Sequence, residues 1–567
     1  MRFFFFLLAI IGSIHCGLIP IPEKICGVPI LGPVLHKKES SDFHAEFNSD
    51  GFMNSLIQEI VDTAQEELHP ILAPHGPFLG PDSNRCRQVQ AFETRKITKA
   101  LRRLLGKMGL IEVVDTVQNE LHSVLVDTSH LEDVIIKMRK EVGDKKYLLN
   151  ELENNFMLIG MENVPSFRRR PETAHIDCGR VLSNDKDYIK SVGGDDRVKM
   201  TRVNDINMTC DAIIQRIITP KKLDELAFGV AFARIVYTDY EMIEDQLRIS
   251  YHPQNVFCYS IDHKSQPLFH ERMKKLVSCF PNLLLLSENY TFDSAGHNMN
   301  KAHYKCMEML LRRPNWNYLI LLQNHDILTK SIYEIVEIFK MLGGANDIET
   351  ETIDLNRFRP GFRWDPISLE LFRNDTTLPL EVLQTNLTIA KGCVQGSLSR
   401  VAIEWLVHTT NMTKYIDRWN DGEYGIDETW INTFHANQQL GMPGHFTDLC
   451  IDPNRNSNFI TRYTRWKRFH KCASGYARHG ICTIGVEDTP MLIKAPTIFG
   501  NKVLPDFDYG VAECINEYIY NKTWTRTIRL DRYYYENMAN VIYHKSNGTV
   551  VNCTTSYVPW KQWKYPE

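Results

Sequence analysis

The sequence predicts an α/β fold, a covered and mostly parallel sheet preceded by a mostly helical region. Two observations carry this. From Cys178 onward, short apolar runs alternate with amphipathic stretches of helical spacing. Before that point only helical spacing recurs, without strand-like runs. The chain has 567 residues, too many for one compact core, and suits two or three domains.

The strands and helices follow in order. Phe228–Tyr237 reads as a strand and Tyr240–Ile249 as a polar helix. A second strand, Asn255–Ile261, ends in Asp262, and the helix-like Phe269–Cys279 precedes a third, Leu283–Leu286. Met299–Leu311 is helix-like, Tyr318–Leu322 is a fourth strand ending near Asp326, and Ser331–Leu342 is again helical. Strands joined by helices form a parallel sheet buried on both faces. Ligands bind such sheets beyond the carboxyl ends of the strands. This places Asp262 and Asn324-His325-Asp326 at the expected mouth. No G-x-G-x-x-G follows the first strand, which argues against a dinucleotide site.

The N-terminal 170 residues divide in two. Residues 1–16 carry Arg2 and then uncharged, mostly apolar residues from Phe3 to Ile14, too short for a span of about 20 residues. They read as a signal peptide or a signal anchor, and either sends the chain into the secretory lumen. Residues 17–170 have helical spacing over Met53–Leu68, Ala91–Met108, Leu110–Leu125 and Leu131–Leu158. They carry no catalytic constellation and read as a stalk or accessory region. Arg168-Arg169-Arg170 before Pro171 reads as a solvated linker, and residues 171–567 form the main domain.

Composition narrows the class. Apolar residues make up 43% and charged residues 24%, with a formal net charge of −4, so no nucleic-acid surface is expected. Fourteen cysteines without a zinc-like C-x-x-C pair suit disulfides in an oxidising lumen. N-x-S/T sequons at Asn207, Asn289, Asn374, Asn386, Asn411, Asn521, Asn547 and Asn552 agree with a glycoprotein.

Several blocks, in order, resemble one known family. They are Tyr251-His252-Pro253-Gln254-Asn255-Val256-Phe257-Cys258 with Ile261-Asp262-His263-Lys264-Ser265, then Asn315-Trp316-Asn317-Tyr318-Leu319-Ile320 with Asp326. Glu349-Thr350-Glu351, Asp427-Glu428-Thr429-Trp430, Cys482 through Gly485, Asn501-Lys502 and Cys514 follow. This region, from about Cys178 to about Tyr520, resembles the core-2/I-branching β-1,6-N-acetylglucosaminyltransferases. The resemblance implies a GT-A-like, Rossmann-type transferase domain. It implies UDP-N-acetylglucosamine as donor, inversion at the anomeric carbon, a glycan acceptor, and catalysis with no metal and no cofactor. It also implies a Golgi-lumenal, type II membrane-anchored enzyme, or a secreted one. Peptide O-xylosyltransferase and a degenerate glycan-binding protein are the competing readings.

The resemblance assigns residues one by one. Inversion needs one base for the acceptor hydroxyl, and a carboxylate suits the task. Glu428, opening an expected helix Glu428–Asn437, matches that base, and Asp427 is then a cap or neighbour. Fixed cations replace a metal at the departing UDP. Lys502 matches the family lysine. The family arginine falls three residues before the cysteine, where this chain has His479, with Arg478 one residue further away. Either Arg478 serves after a loop shift, or His479 serves and the site is pH-dependent.

Asp262 would hydrogen-bond the nucleoside, with Asp326 also on the donor side. Glu349 matches an acceptor-contacting glutamate and Trp466 an acceptor-stacking tryptophan. Arg468 stands where the family has tyrosine. Two literal D-x-D motifs, Asp185-Lys186-Asp187 and Asp506-Phe507-Asp508, follow none of the central strands. The family pattern pairs Cys178 with Cys514, Cys210 with Cys279, Cys258 with Cys306 and Cys472 with Cys482. It gives Cys26, Cys86, Cys393, Cys450 and Cys553 no partner.

Overall fold

A computed structural model describes residues 164–553, apart from 354–356, 358–360, 377 and 452–458, together with a two-residue antiparallel pairing of Lys24–Ile25 with Val28–Pro29. The expectations for residues 1–16 and for the helical region 17–170 lie almost wholly outside the described residues.

The central sheet is built from β1 (Gly229–Val236), β2 (Val256–Ile261), β3 (Leu283–Leu285), β4 (Trp316–Leu322), β6 (Asp347–Ile348) and β7 (Gly396–Ser399). Its spatial order is β3-β2-β1-β4-β7-β6. The first four strands run parallel, and β7 is antiparallel to both neighbours. The alternation read from the sequence is therefore present, with ends differing by one or two residues. Helices α1 (Tyr240–Ser250), α2 (Pro267–Ser278), α3 (Met299–Leu311) and α4 (Ile332–Leu342) fall between the strands. Ser331 caps α4 rather than opening it, and with Glu334 it forms a reciprocal capping box.

Both faces of the sheet are covered, as the pleat requires. Tyr318, Ile320 and Leu322 of β4 join one core with residues of α1, α2, α4 and α8 (Gly510–Thr525). Leu319 and Leu321 join the other core with residues of α3, α5 (Arg400–His408), α6 (Thr413–Asn420) and α7 (Trp430–Ala436). A second sheet sets β11 (Phe499–Gly500) between β8 (Arg462–Tyr463), parallel, and β5 (Ile327–Leu328), antiparallel. The hairpin β9 (Ala477–Arg478) and β10 (Ile481–Cys482) stands near it in sequence.

Cysteines clamp this frame. Disulfides join Cys178–Cys514, Cys210–Cys279, Cys258–Cys306 and Cys472–Cys482, and a fifth joins Cys450 to Cys553. The fifth links two cysteines to which the family pattern assigns no partner. Cys393 is a buried free thiol. Each such closure of a long loop stabilises by about 2–4 kcal/mol through the unfolded chain.

Two expectations are corrected. Arg168–Arg170 is not a solvated linker: Arg169 pairs with Glu517, Arg170 Nε donates to Asp245 at 2.8 Å, and the Arg168 carbonyl accepts from Arg248. Glu428–Asn437 is not one helix. A 3-10 turn, Ile426–Glu428, is separated from α7 by Thr429, whose φ of −125° breaks the helical path. Among the sequon asparagines, Asn521 lies on α8, with Lys522 and Thr523 of its sequon buried. Of the other sequon asparagines, Asn207, Asn289, Asn374, Asn386 and Asn547 are exposed, while Asn411 and Asn552 are half-buried.

Among the described residues, no helix is long and apolar enough to cross a membrane.

Candidate active site

The carboxyl ends of β1, β2 and β4 open onto a cavity of about 590 Å³. β1 lies between β2 and β4, so the chain leaves it in two directions, and a crevice forms at such a point. Tyr237, Thr238 and Asp239 follow β1, Asp262 follows β2 and His325 follows β4; Arg478 and Asp506 line the cavity from the C-terminal part.

The turn after β4 organises this floor. Asn324 Oδ1 accepts from the backbone N–H of Tyr237 at 2.8 Å and of Thr238 at 3.2 Å, fastening the end of β1. His325 Nε2 meets Asp239 Oδ2 at 3.1 Å, and Tyr237 OH lies 3.4 Å from Nδ1. Asp239 sits at φ 58°, is buried, and also receives Arg202. Burial raises its carboxyl, but the hydrogen bond with His325 and the pairing with Arg202 outweigh it and hold the carboxyl below the usual range. Buried Arg234 donates to the carbonyls of Gln323, Asn324 and Asp326, which fixes the turn from beneath.

Asp326 is corrected from the donor side. It is fully buried and does not line the cavity. Its carboxylate accepts from Gln395 at 2.9 Å, from Asn501 at 2.7 Å and from the Gln323 backbone at 2.6 Å. Gln395 and Asn501 in turn accept from buried Arg462, at 2.8 and 2.6 Å. The carboxylate and guanidinium thus face each other through two amides.

Asp262 lines the cavity, and its Oδ1 also accepts from the backbone of Lys264 and Phe292. Arg478 is exposed on β9 and projects to the cavity, whereas His479, at φ 54°, does not line it. His479 is still a neighbour: burial and the charges of Lys502 and Arg478 lower its pKa. Lys502, partly buried, is pushed down to about 8 by burial and then by Arg462 and Arg478. It forms no ion pair among the described residues. Trp466 bridges Ile481 of β10, and the Arg468 guanidinium lies 5.6 Å from its ring centre.

The two D-x-D motifs fare differently. Asp185 caps the short helix Lys186–Val192 and pairs with Arg180. Asp506 does line the cavity, although no central strand leads to it, and it pairs with Arg202. Asp508 is buried on Arg197, turned away from the cavity.

A second group of acids lies beside the first. Glu428 is half-buried and its Oε2 accepts from Arg357 Nη1 at 2.5 Å. Its carbonyl accepts from Gly392 N at 2.8 Å. Glu349 Oε2 accepts from the next backbone N–H, that of Cys393, at 2.8 Å. Glycine is required at 392, because a Cβ there would stand 2.2 Å from the Glu349 carbonyl oxygen. The segment 392–393 thus brings the expected acceptor glutamate and the expected base together. Burial and then Glu351 raise the Glu349 carboxyl.

Asp427 is buried and pushed up to about 8, by burial and then by the charge of Glu428. Its Oδ2 lies 3.3 Å from Gln323 Nε2, which connects the acids to the end of β4. Gly296, at φ 93°, packs so closely that a Cβ would fall 2.0 Å from Asp427 Oδ1.

Sequence reasoning missed Arg357, Arg462, Gln395 and Tyr237. Arg462 and Gln395 carry no motif signal, since their role depends on packing between distant segments. Tyr237 was within reach, as the last residue of the expected first strand, which the structure ends at Val236.

Residues 230–492 match the model of a family described as Branch: Core-2/I-Branching enzyme. The β-1,3-galactosyl-O-glycosyl-glycoprotein β-1,6-N-acetylglucosaminyltransferase of Bos taurus is 26% identical over 389 residues, covering 64% of this chain and 89% of that protein. The Homo sapiens protein of the same name is 26% identical over 376 residues, covering 62% and 86%. A Rattus norvegicus relative, numbered 3 under that name, is 27% identical over 347 residues, covering 58% and 77%. The matched residues include Asp262 and Arg478 of the cavity and Glu349 and Glu428 beside it, and over this span the chain is similar to the Core-2/I-branching enzymes.

Proposed function

We propose that this enzyme transfers N-acetylglucosamine from UDP-N-acetylglucosamine to a hydroxyl, the 6-OH, of an O-glycan, with inversion and in a GT-A-like fold. The observation that carries this reading is the cavity at the strand ends beside a separate carboxylate. The cavity has room for a nucleotide and holds Asp262 and Arg478, with Lys502 close by in charge. The relatives named above support the donor and the branching linkage.

In this mechanism the acceptor oxygen attacks C1 of the donor sugar as Glu428 takes its proton. The C1–O bond to the acceptor forms, the C1–O bond to phosphate breaks, and UDP leaves with the electron pair. Arg478 and Lys502 meet the negative charge that grows on UDP, and His479 adjusts the field of both. Asp262 holds the nucleoside. Glu349 and Trp466 contact the acceptor, with Arg468 beside Trp466. Cations in place of a metal make the reaction independent of divalent ions, and no cofactor takes part. The five disulfides support an oxidising secretory lumen, and we place the enzyme in the Golgi behind an N-terminal signal anchor.

The test is UDP release with a panel of UDP-sugars and a core-1 glycopeptide acceptor. UDP-N-acetylglucosamine should be the preferred donor and activity should survive EDTA. Preference for UDP-xylose would overturn the donor assignment. Complete loss in EDTA, restored by manganese, would overturn the metal-free mechanism.

A further inference from the structure

Glu428 forms one ion pair among the described residues, and its partner is Arg357. The guanidinium is itself held on three sides. Its centre lies 4.8 Å from the ring centre of Tyr424, within cation–π range. Gly425 packs against it so closely that a Cβ there would stand 2.4 Å from Nη1. Gly425 has φ 67°, so both its backbone and the space beside it demand glycine. The third side is Glu428 Oε2. No protein hydrogen bond reaches Oε1 among the described residues.

The neighbouring carboxyl adds a second reason for this contact. Asp427 adjoins Glu428 in sequence and is buried, whereas Glu428 is half-buried. Of these two adjacent acids, only Glu428 forms an ion pair among the described residues. Arg357 lies on the Glu428 side of that pair.

We propose that Arg357 is a positioning residue for the base: clamped by Tyr424 and Gly425, its guanidinium fixes Oε2 of Glu428 and leaves Oε1 for the acceptor hydroxyl. This rests on the reading of Glu428 as base. Arg357 does not line the cavity at the strand ends, to which the proposed function assigns the donor. Its loss therefore acts on the chemical step.

The experiment uses the full-length enzyme with UDP-N-acetylglucosamine and a core-1 glycopeptide, both varied. Arg357→Ala should lower kcat by about tenfold or more, since displacement of a catalytic group by about 1 Å can cost a hundredfold. The donor KM should stay within about twofold. Guanidinium chloride, well below denaturing concentrations, should restore part of kcat where equal sodium chloride does not. Arg357→Lys keeps the charge without the planar group and should fall between. Tyr424→Ala should lower kcat less than Arg357→Ala.

Adding Arg357→Ala to Glu428→Gln should slow the enzyme no further, because the two act as one unit. The inference is overturned if Arg357→Ala keeps wild-type kcat while Glu428→Gln is inactive. It is equally overturned if Arg357→Ala raises the acceptor KM and leaves kcat at the wild-type value, which would make Arg357 an acceptor contact. Wild-type turnover by Glu428→Gln would instead sink the assignment of the base.

Discussion

At the scale of single residues, two acids in sequence are told apart by their surroundings. Glu428 reaches a guanidinium and stays half-exposed; Asp427 is enclosed and its pKa rises to about 8. Asp427 is thus mostly protonated at pH 7. Asp427→Asn copies the protonated form and should change kcat by less than about tenfold, whereas Glu428→Gln removes the proposed proton acceptor and should cost at least about a hundredfold. Donor affinity, read by calorimetry with UDP-N-acetylglucosamine, should be near wild type in both. Equal losses in the two variants would refute the division of roles.

Lys502 yields a pH dependence with a definite sign. Its pKa in the free protein is lowered to about 8, so it is charged below that pH and neutral above it. UDP is anionic and favours the charged form. Affinity for UDP should therefore hold steady from pH 7 toward 8 and fall as pH rises to 9. Lys502→Arg should flatten that fall, because arginine stays charged there. Lys502→Ala should bind UDP weakly at every pH. Affinity unchanged between pH 7 and 9 in the wild type would show that Lys502 does not meet the phosphates.

At the scale of elements, the site is made by ends and turns more than by regular structure. The strands were legible in the sequence because period and burial act locally: Val256–Ile261 is apolar except for Ser260 and is buried on both faces. Asp262 was legible for the same reason, since it follows such a run. Asp326 was legible as a residue but not in its role. Nothing local says that Gln395 and Asn501, far along the chain, will fill its hydrogen-bonding capacity. The Glu428 helix was misjudged because Thr429 breaks it only once Gly392 takes the Glu428 carbonyl.

The turn at 426–428 depends on a second turn. Ile426 N donates to the Ala295 carbonyl, and Gly296 lies against the Asp427 carboxyl. Gly296→Ala would place a methyl group in that carboxyl from a backbone that disfavours side chains. It should lower stability by more than about 1 kcal/mol. It should also lower kcat without weakening UDP binding. A thermal melt and activity both matching wild type would mean that the two turns are not coupled.

At the scale of the whole molecule, the Cys178–Cys514 disulfide spans 336 residues of sequence. Nearly all of the site lies inside that covalent ring, from Tyr237 to Lys502. A protease that cuts once anywhere within it produces an opened circle rather than two separable fragments. Such a nicked enzyme should migrate as one species until reduced, and then as two. In an extracellular or lumenal setting rich in proteases, single cuts would leave the pieces tethered, so the enzyme's working lifetime would be set by loss of shape and not by the first broken peptide bond.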